Sequence, residues 1–481
     1  MKKFVLLVPF VALALAGSAE VKIDGVVVRQ QWPWSAKVKV EYRLSGVADP
    51  VDVKVRIFNG ETEATGYRPY ALVGDLYGQK GGLKSFEFEP AEVFGTARAR
   101  VPDVRVELTA EPSASNAGEV IYRVYDFRTK ARTDLTRADI RSGRYGAYET
   151  DYAKVGPGFA TSLSDVLVWT GVTNGLTYKT DKIVFRKIPA KDQHFMFGQG
   201  DDSAYERKGV DTWFSHDYWI GVFELTQTQF NWIKDYAIDK GHLYAEYAPG
   251  NHYNADKSFC YSYETNALYS AARAQGCVTF NMIRDYNGSA NWPVGKISDA
   301  YSQRWIGRMR EYFAGVLGED ERFDLPTSAQ WEFACRAGTT SDLYTGKVSN
   351  WNNLKEIGRF SGGINMPGSW PKDEPRMADL SVGLDEVGHY LPNAFGLYDM
   401  LGNAEEMCLD RYGSTFPGGK DPKGVDNAQE SSRRTIRGCG ILQMYTAAKC
   451  STRYCSYYYM PQTDNNVRCY GVRIALQTHD F

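Results

Sequence analysis

The most restrictive feature of this sequence is an alternation of apolar and polar residues that is confined to its N-terminal part. Val38, Val40 and Tyr42 alternate with polar residues, and the pattern repeats within 51–57, 104–108 and 120–124. A period of two is typical of antiparallel strands with one buried face. Residues 20–128 are therefore predicted to form a small all-β, sandwich-like domain, for which an immunoglobulin-like arrangement is one option. No catalytic group stands out there, which favours a spacer or adhesion role.

The pattern changes twice after this region. Residues 129–181 are mixed and rich in glycine and tyrosine, and they are predicted to form a connecting region. In residues 182–481, apolar strands alternate with a few amphipathic helices and long polar loops, which indicates an α+β fold rather than an all-helical or doubly wound one. One helix is predicted to begin at Thr327, because Gln330 completes a capping box with it.

The N-terminus resembles a secretory signal. Lys2 and Lys3 precede an apolar run at 4–16, and small residues end at Ala19, where cleavage is expected. The run is shorter than the roughly 20 residues that span a bilayer. Residues 1–19 are thus predicted to be a signal peptide, and the protein to be exported, whether periplasmic, on the cell surface or secreted, with no membrane span in the mature chain.

Charge and motif content exclude several classes of function. The 56 basic and 58 acidic residues give a net charge of −2 with no basic run, so nucleic-acid binding is not expected. The six histidines are scattered without a His-x-x-x-His pair, which gives little support to zinc or iron catalysis. Neither a phosphate-binding loop nor a serine nucleophile elbow is present in the sequence.

All eight cysteines lie in the C-terminal part of the chain. Their positions are Cys260, Cys277, Cys335, Cys408, Cys439, Cys450, Cys455 and Cys469. An even number of cysteines in an exported protein favours disulfides, although spacing does not determine which cysteines pair.

Five segments, in order, carry recognisable motifs. They are residues 183–189 with 195–198, 218–226, 325–338, 392–407, and 437–440 with 471–476. The third reads LPTSAQWEFACRAG and the fourth PNAFGLYDMLGNAEEM. In order and spacing they resemble the formylglycine-generating enzyme, or sulfatase-modifying factor, family over residues 182–481. The resemblance implies a loop-rich, C-type-lectin-like fold.

The resemblance also implies a place for calcium. Asn403 and Glu406 match family positions that give calcium an amide oxygen and a carboxylate. Calcium needs six to eight oxygens, so backbone carbonyls and water would supply the others. The alternative is that both side chains only satisfy backbone amides of the loop.

The copper-binding cysteines of the catalytic family members are out of register here. Counted from the turn at Gly438 and Gly440, the two expected positions hold Gln443 and Ala448. Serine is replaced by Gly440 in the turn, and the aromatic residues that flank the family's motif glutamate are replaced by Glu405 and Met407.

A displaced pair keeps the family's spacing. Cys450 and Cys455 are five residues apart and precede a tyrosine-rich stretch. Soft thiolates suit Cu(I), so this pair is the candidate catalytic site. The other interpretation makes Cys450 a structural cysteine, with Cys408 as a possible disulfide partner.

Two functions remain open from sequence alone. The first is a non-catalytic binding or surface module for a protein or glycan ligand, which the degenerate catalytic positions favour. The second is a copper-dependent oxidase that converts a cysteine of an exported sulfatase to formylglycine through Cys450 and Cys455.

Overall fold

The computed structural model describes most of the chain. The described residues are 21–97, 100–151, 166–200, 209–240, 306–360, 386–413, 415, 418–424, 434–440, 447–455 and 470–477. The predicted signal peptide lies outside them. Among these residues, no helix is long and apolar enough to cross a membrane.

The chain divides into two compact units. The N-terminal unit contains the residues up to Ile121, together with Asp134–Tyr148 and Trp169–Val172. The C-terminal unit contains Tyr122–Thr133, Glu149–Val168 and Thr173–Phe481.

Two sheets build the N-terminal unit. Their strands are β1 (Lys22–Gln30), β2 (Val38–Ser45), β3 (Val51–Asn59), β4 (Thr62–Glu63), β5 (Val73–Gly74), β6 (Gly82–Phe88) and β7 (Val104–Pro112). One sheet has the order β1-β2-β6-β5 and the other β4-β3-β7, with antiparallel pairing throughout. Two short helices accompany them, α1 (Pro90–Phe94) and α2 (Arg137–Arg141).

One apolar core joins the two sheets. Val40 and Phe86 from the first sheet and Ile57 and Val106 from the second are all buried in the same cluster. Alternating residues of β2 are buried, as the sequence pattern predicts. The prediction of a β-rich N-terminal domain is therefore confirmed.

The strand predicted at 120–124 pairs with a strand that lies beyond residue 128 in the sequence. It is β8 (Val120–Asp126), and it pairs antiparallel with β10 (Lys182–Ile188), so that Val124 lies opposite Val184. The division between the units falls inside β8, before Tyr122. Both faces of β8 are buried, through Ile121 and Tyr125 on one side and Tyr122 and Val124 on the other, and alternation in the sequence does not show which strand lies beside it.

Three sheets run through the described part of the C-terminal unit. The remaining strands are β9 (Ala131–Thr136), β11 (Phe195–Phe197), β12 (Val210–Trp213), β13 (Tyr218–Gly221), β14 (Arg322–Asp324), β15 (Glu405–Arg411), β16 (Gly419–Lys420), β17 (Arg434–Arg437), β18 (Tyr454–Cys455), β19 (Tyr470–Gly471) and β20 (Ala475–Gln477). The sheet orders are β14-β20-β13-β10-β8-β9, β11-β12-β16 and β18-β17-β15-β19.

Short helices are also present in the described part of this unit. They are α3 (Thr177–Thr180), α4 (Gln227–Asp239), α5 (Gly307–Tyr312), α6 (Ser328–Arg336) and α7 (Trp351–Leu354). The capping box predicted at Thr327 is present: its hydroxyl accepts from the backbone of Gln330, whose side chain accepts from the backbone of Thr327. Helix α6 is buried along most of its length, which sets Trp331 and Cys335 in the core. The expectation of a mixed α+β, sheet-rich unit with few helices is confirmed.

Candidate functional site

Glu406, the motif glutamate, lies on β15, and its carboxylate is buried. Arg473 Nη2 lies 2.6 Å from Glu406 Oε1, and Arg473 Nε is 3.0 Å from both carboxylate oxygens. Trp331 Nε1 donates to Glu406 Oε2 at 2.6 Å. Two residues from distant parts of the chain therefore hold this carboxylate, and neither side chain of the ion pair reaches solvent.

Arg473 also ties the motif strand to its neighbours. Its Nη1 donates to the carbonyls of Gly221 and Val222, each at 3.0 Å, and its Nη2 donates to that of Tyr398 at 2.8 Å. With the bonds to Glu406, all five guanidinium N–H groups have acceptors. Burial alone would lower the pKa of Arg473, but the charge of Glu406 and its hydrogen bond outweigh this and the pKa is raised.

Asn403 is held by a second buried carboxylate. Its Nδ2 donates to Glu224 Oε2 at 2.6 Å, and the backbone N–H of Ala404 donates to Glu224 Oε1 at 3.0 Å. The backbone of Asn403 has a φ of 56°, a left-handed conformation that asparagine tolerates better than most residues. Glu224 thus fixes the turn that leads into β15.

This arrangement does not fit a calcium ion on Glu406. Both oxygens of that carboxylate already accept from Arg473 and Trp331, and a cation at the same place would lie against the buried guanidinium. Among the residues that the structure describes, no three His, Cys, Asp or Glu side chains are grouped as metal ligands. The geometry favours a structural role for both residues, through the side chains of Arg473 and Trp331 for Glu406 and of Glu224 for Asn403.

Calcium removal tests this assignment. A chelator is expected to leave the thermal unfolding midpoint unchanged, because the carboxylate has no oxygen to offer the ion. A site loaded at a hundred times its Kd would instead stabilise the folded state by about 2.7 kcal/mol. A calcium-dependent rise that Mg²⁺ does not reproduce and that Glu406→Gln abolishes would contradict the assignment.

Cys450 is enclosed from three directions. Its Sγ lies 3.5 Å from Cys335 Sγ on α6, and its backbone N–H donates to the carbonyl of Asp342 at 2.7 Å. Its carbonyl accepts from Arg437 Nη1 at 3.3 Å. Cys335 and Cys450 are both wholly buried in one apolar core. Burial, helped by the contact with Cys450, raises the pKa of Cys335 and disfavours its thiolate.

The suggested pairing of Cys450 with Cys408 was wrong. The structure gives Cys408 a free thiol and brings Cys450 against Cys335 instead. Cys455 is the last residue of β18, opposite Thr435, but its side chain lies outside the described part of the chain. The structure therefore shows the environment of Cys450 in the candidate copper pair, and this cysteine lies in the apolar core.

One of the two positions where catalytic family members have cysteine is also part of the core. Ala448 is fully buried, and Gln443 lies outside the described residues. A Cβ on Gly440 would lie 2.7 Å from the backbone nitrogen of Glu405, closer than real Cβ contacts. The turn of this protein therefore has no room for a side chain at position 440.

Sequence reasoning missed a second buried ion cluster beside Cys450. Glu332 on α6 accepts from Arg437 Nη2 at 2.9 Å, from Arg336 Nε at 2.8 Å and from the backbone N–H of Gly198 at 2.9 Å. Arg437 also donates to carbonyls of the segment that contains Cys450. The charged residues inside otherwise apolar motifs, such as Glu332 in the third segment, were the available signal.

Comparisons with known proteins identify a family that matches the C-terminal part of the chain. A family model described as the sulfatase-modifying factor enzyme 1-like domain matches residues 193–476. The formylglycine-generating enzyme of Mycobacterium tuberculosis is 36% identical over 139 residues, 28% of this chain and 38% of that protein. That of Streptomyces coelicolor is 27% identical over 190 residues, 38% and 50% of the two chains.

Other similar proteins carry different descriptions. The mouse protein named inactive C-alpha-formylglycine-generating enzyme 2 is 34% identical over 120 residues, 24% of this chain and 35% of that protein. The solved structure of Treponema denticola variable protein 1 aligns with a TM-score of 0.37 and 17% identity, over 61% of this chain and 95% of that chain. The chain spans half or less of the length of these curated relatives. Because the family model covers more than half of the sequence, the chain belongs to the sulfatase-modifying factor enzyme 1-like domain family.

Proposed function

We propose that the C-terminal unit is a non-catalytic recognition module on a C-type-lectin-like scaffold, and that the protein acts after export. The observation that carries this proposal is the burial of Cys450 against Cys335. Copper must bind a thiolate, and the substrate cysteine must approach the metal. A sulfur with no exposed surface inside an apolar core meets neither requirement.

The charged clusters support a structural role for the motifs. Two buried ion pairs fix β15, β17 and α6 without presenting a reactive group to solvent. They are Glu406 with Arg473 and Glu332 with Arg437. A rigid core of this kind can hold variable loops, which is how one scaffold serves many ligands. The ligand proposed is a protein or a glycan, and the balanced charge of the sequence, without a basic run, does not favour nucleic acid. The name of one relative, inactive C-alpha-formylglycine-generating enzyme 2, agrees with a non-catalytic role.

The second candidate is the copper-dependent oxidase. Relatives from Mycobacterium tuberculosis and Streptomyces coelicolor carry the name formylglycine-generating enzyme, and Cys450 and Cys455 keep the spacing of a copper pair. For that function, Cys450 would have to leave Cys335 and present its sulfur outside the core.

A direct assay separates the two candidates. The reduced full-length protein, supplied with Cu(I) and oxygen, is expected to leave a sulfatase-type cysteine peptide unchanged by mass spectrometry. The Mycobacterium tuberculosis enzyme, assayed in parallel, shows that the conditions support turnover. Aldehyde formation that disappears in Cys455→Ser would overturn the non-catalytic proposal, and this variant leaves the Cys335–Cys450 contact untouched.

A further inference from the structure

The loop between β1 and β2 exposes two indole rings. Trp34 is 91% exposed and Trp32 is 51% exposed, with Pro33 between them. By contrast, Trp331 and Trp219, in the C-terminal unit, are buried. An indole in water forgoes a large burial energy, so two exposed neighbours at the tip of one hairpin are typical of a binding surface.

The backbone of this tip is fixed by its own hydrogen bonds. Gln31 donates to the carbonyl of Lys37 at 3.0 Å and accepts from the backbone N–H groups of Trp34 and Ser35 at 3.0 and 3.1 Å. The hydroxyl oxygen of Ser35 in turn accepts from the backbone of Lys37 at 3.1 Å. The closed turn fixes the backbone that carries the two indoles, so a ligand that binds them orders little additional main chain.

Charges around the tip are internally paired. Residues 31–36 contain no ionisable side chain. On the flanking strands, Lys37 pairs with Glu87, and both Arg29 and Lys39 pair with Glu41. Each of these three cations has a carboxylate partner, two of them sharing Glu41, so none is left unpaired beside the neutral centre to recruit an anionic partner. The surface therefore suits an uncharged ligand.

We propose that this loop binds a neutral pyranose glycan, with the faces of Trp32 and Trp34 stacked on the apolar C–H faces of successive sugar rings. Sugar rings present flat C–H faces edged by hydroxyls, so they match an aromatic surface with polar neighbours such as Gln31. This inference concerns the N-terminal unit and does not depend on whether the C-terminal unit is catalytic.

A lipid bilayer is the other surface that exposed tryptophans suit. Membrane-binding tips carry a wider apolar rim or unpaired cations beside the indoles. Leu83 is the other exposed large apolar residue among the described residues of this unit, and it pairs with Arg43, near the end of β2 that is remote from the loop. The tip has neither feature, so the glycan is favoured.

Calorimetric titration of the full-length protein with cellohexaose and with chitohexaose tests the proposal. At least one hexamer is expected to bind, with affinity reduced roughly tenfold or more by Trp34→Ala and less by Trp34→Phe, which keeps an aromatic face. Leu83→Ala is the matched control, since it removes an exposed apolar side chain elsewhere on the same sheet, and it is expected to change nothing.

Three outcomes would overturn the proposal. The first is no heat of binding with either hexamer, and the second is equal affinity for wild type and Trp34→Ala. The third is Trp34-dependent sedimentation with phosphatidylcholine vesicles in the absence of hexamer binding, which would assign the tip to a bilayer.

Discussion

Replacing Arg473 with Leu is expected to lower the free energy of unfolding of the C-terminal unit by about 3–5 kcal/mol. The substitution leaves the Glu406 carboxylate buried without its cation, and it removes the donors to the carbonyls of Gly221, Val222 and Tyr398. Because folded domains are stable by only about 5–15 kcal/mol, this is a large share of the total. Urea denaturation followed by tryptophan fluorescence measures the loss.

Two further variants define what the Arg473 result means. Arg473→Leu combined with Glu406→Leu is expected to cost less than the sum of the single changes, since it leaves no unpaired buried charge. Arg56 on β3 makes a bidentate contact with Glu63, but this ion pair is exposed to solvent. Arg56→Leu is therefore expected to leave the unfolding curve unchanged. An Arg473→Leu protein as stable as Arg56→Leu would contradict the structural role of the buried pair.

Oxidation of Cys335 and Cys450 is expected to raise the free energy of unfolding by about 2–4 kcal/mol. The sulfurs already touch at 3.5 Å across 115 residues of sequence, so closing the bond constrains a long loop in the unfolded chain. Oxidised glutathione would accept the two electrons and two protons that the thiols lose. Urea denaturation with and without reductant measures the gain, and peptide mapping under non-reducing conditions identifies the bond.

A matched pair of serine variants isolates this effect. Cys335→Ser is expected to abolish the stabilisation by oxidation, because it removes the partner of Cys450. Cys408→Ser, which replaces another buried free thiol, is expected to retain that stabilisation. A Cys408–Cys450 peptide in the digest, or the same response to reductant in both variants, would contradict the pairing.

Local features of the fold could be predicted from the sequence, because they depend on neighbours in the chain. The alternation at Val38, Val40 and Tyr42 gave the buried face of β2, and the spacing of Thr327 and Gln330 gave the start of α6. Strand partners could not be predicted in this way. β8 shows the same alternation as the N-terminal strands, yet it pairs with β10.

The candidate site was predictable only as a set of positions. The motifs located Glu406, but its cation lies 67 residues away, and no spacing rule indicates that Arg473 would reach it. The same holds for Cys335 and Cys450, which meet because α6 and the segment after Ala448 enter one core. Whether a carboxylate binds a metal or an internal guanidinium depends on such long-range contacts.

Titration of the reduced full-length protein with Cu(I), against a chromophoric competitor, tests most directly whether Cys450 is a core residue or a copper ligand. With Cys450 in the core, no tight site that needs Cys455 is expected, so the wild type, Cys455→Ser and the Cys450→Ser/Cys455→Ser double variant should behave alike. One tightly bound Cu(I) per chain that is lost in Cys455→Ser and kept in Cys335→Ser would contradict the assignment of Cys450 to the core.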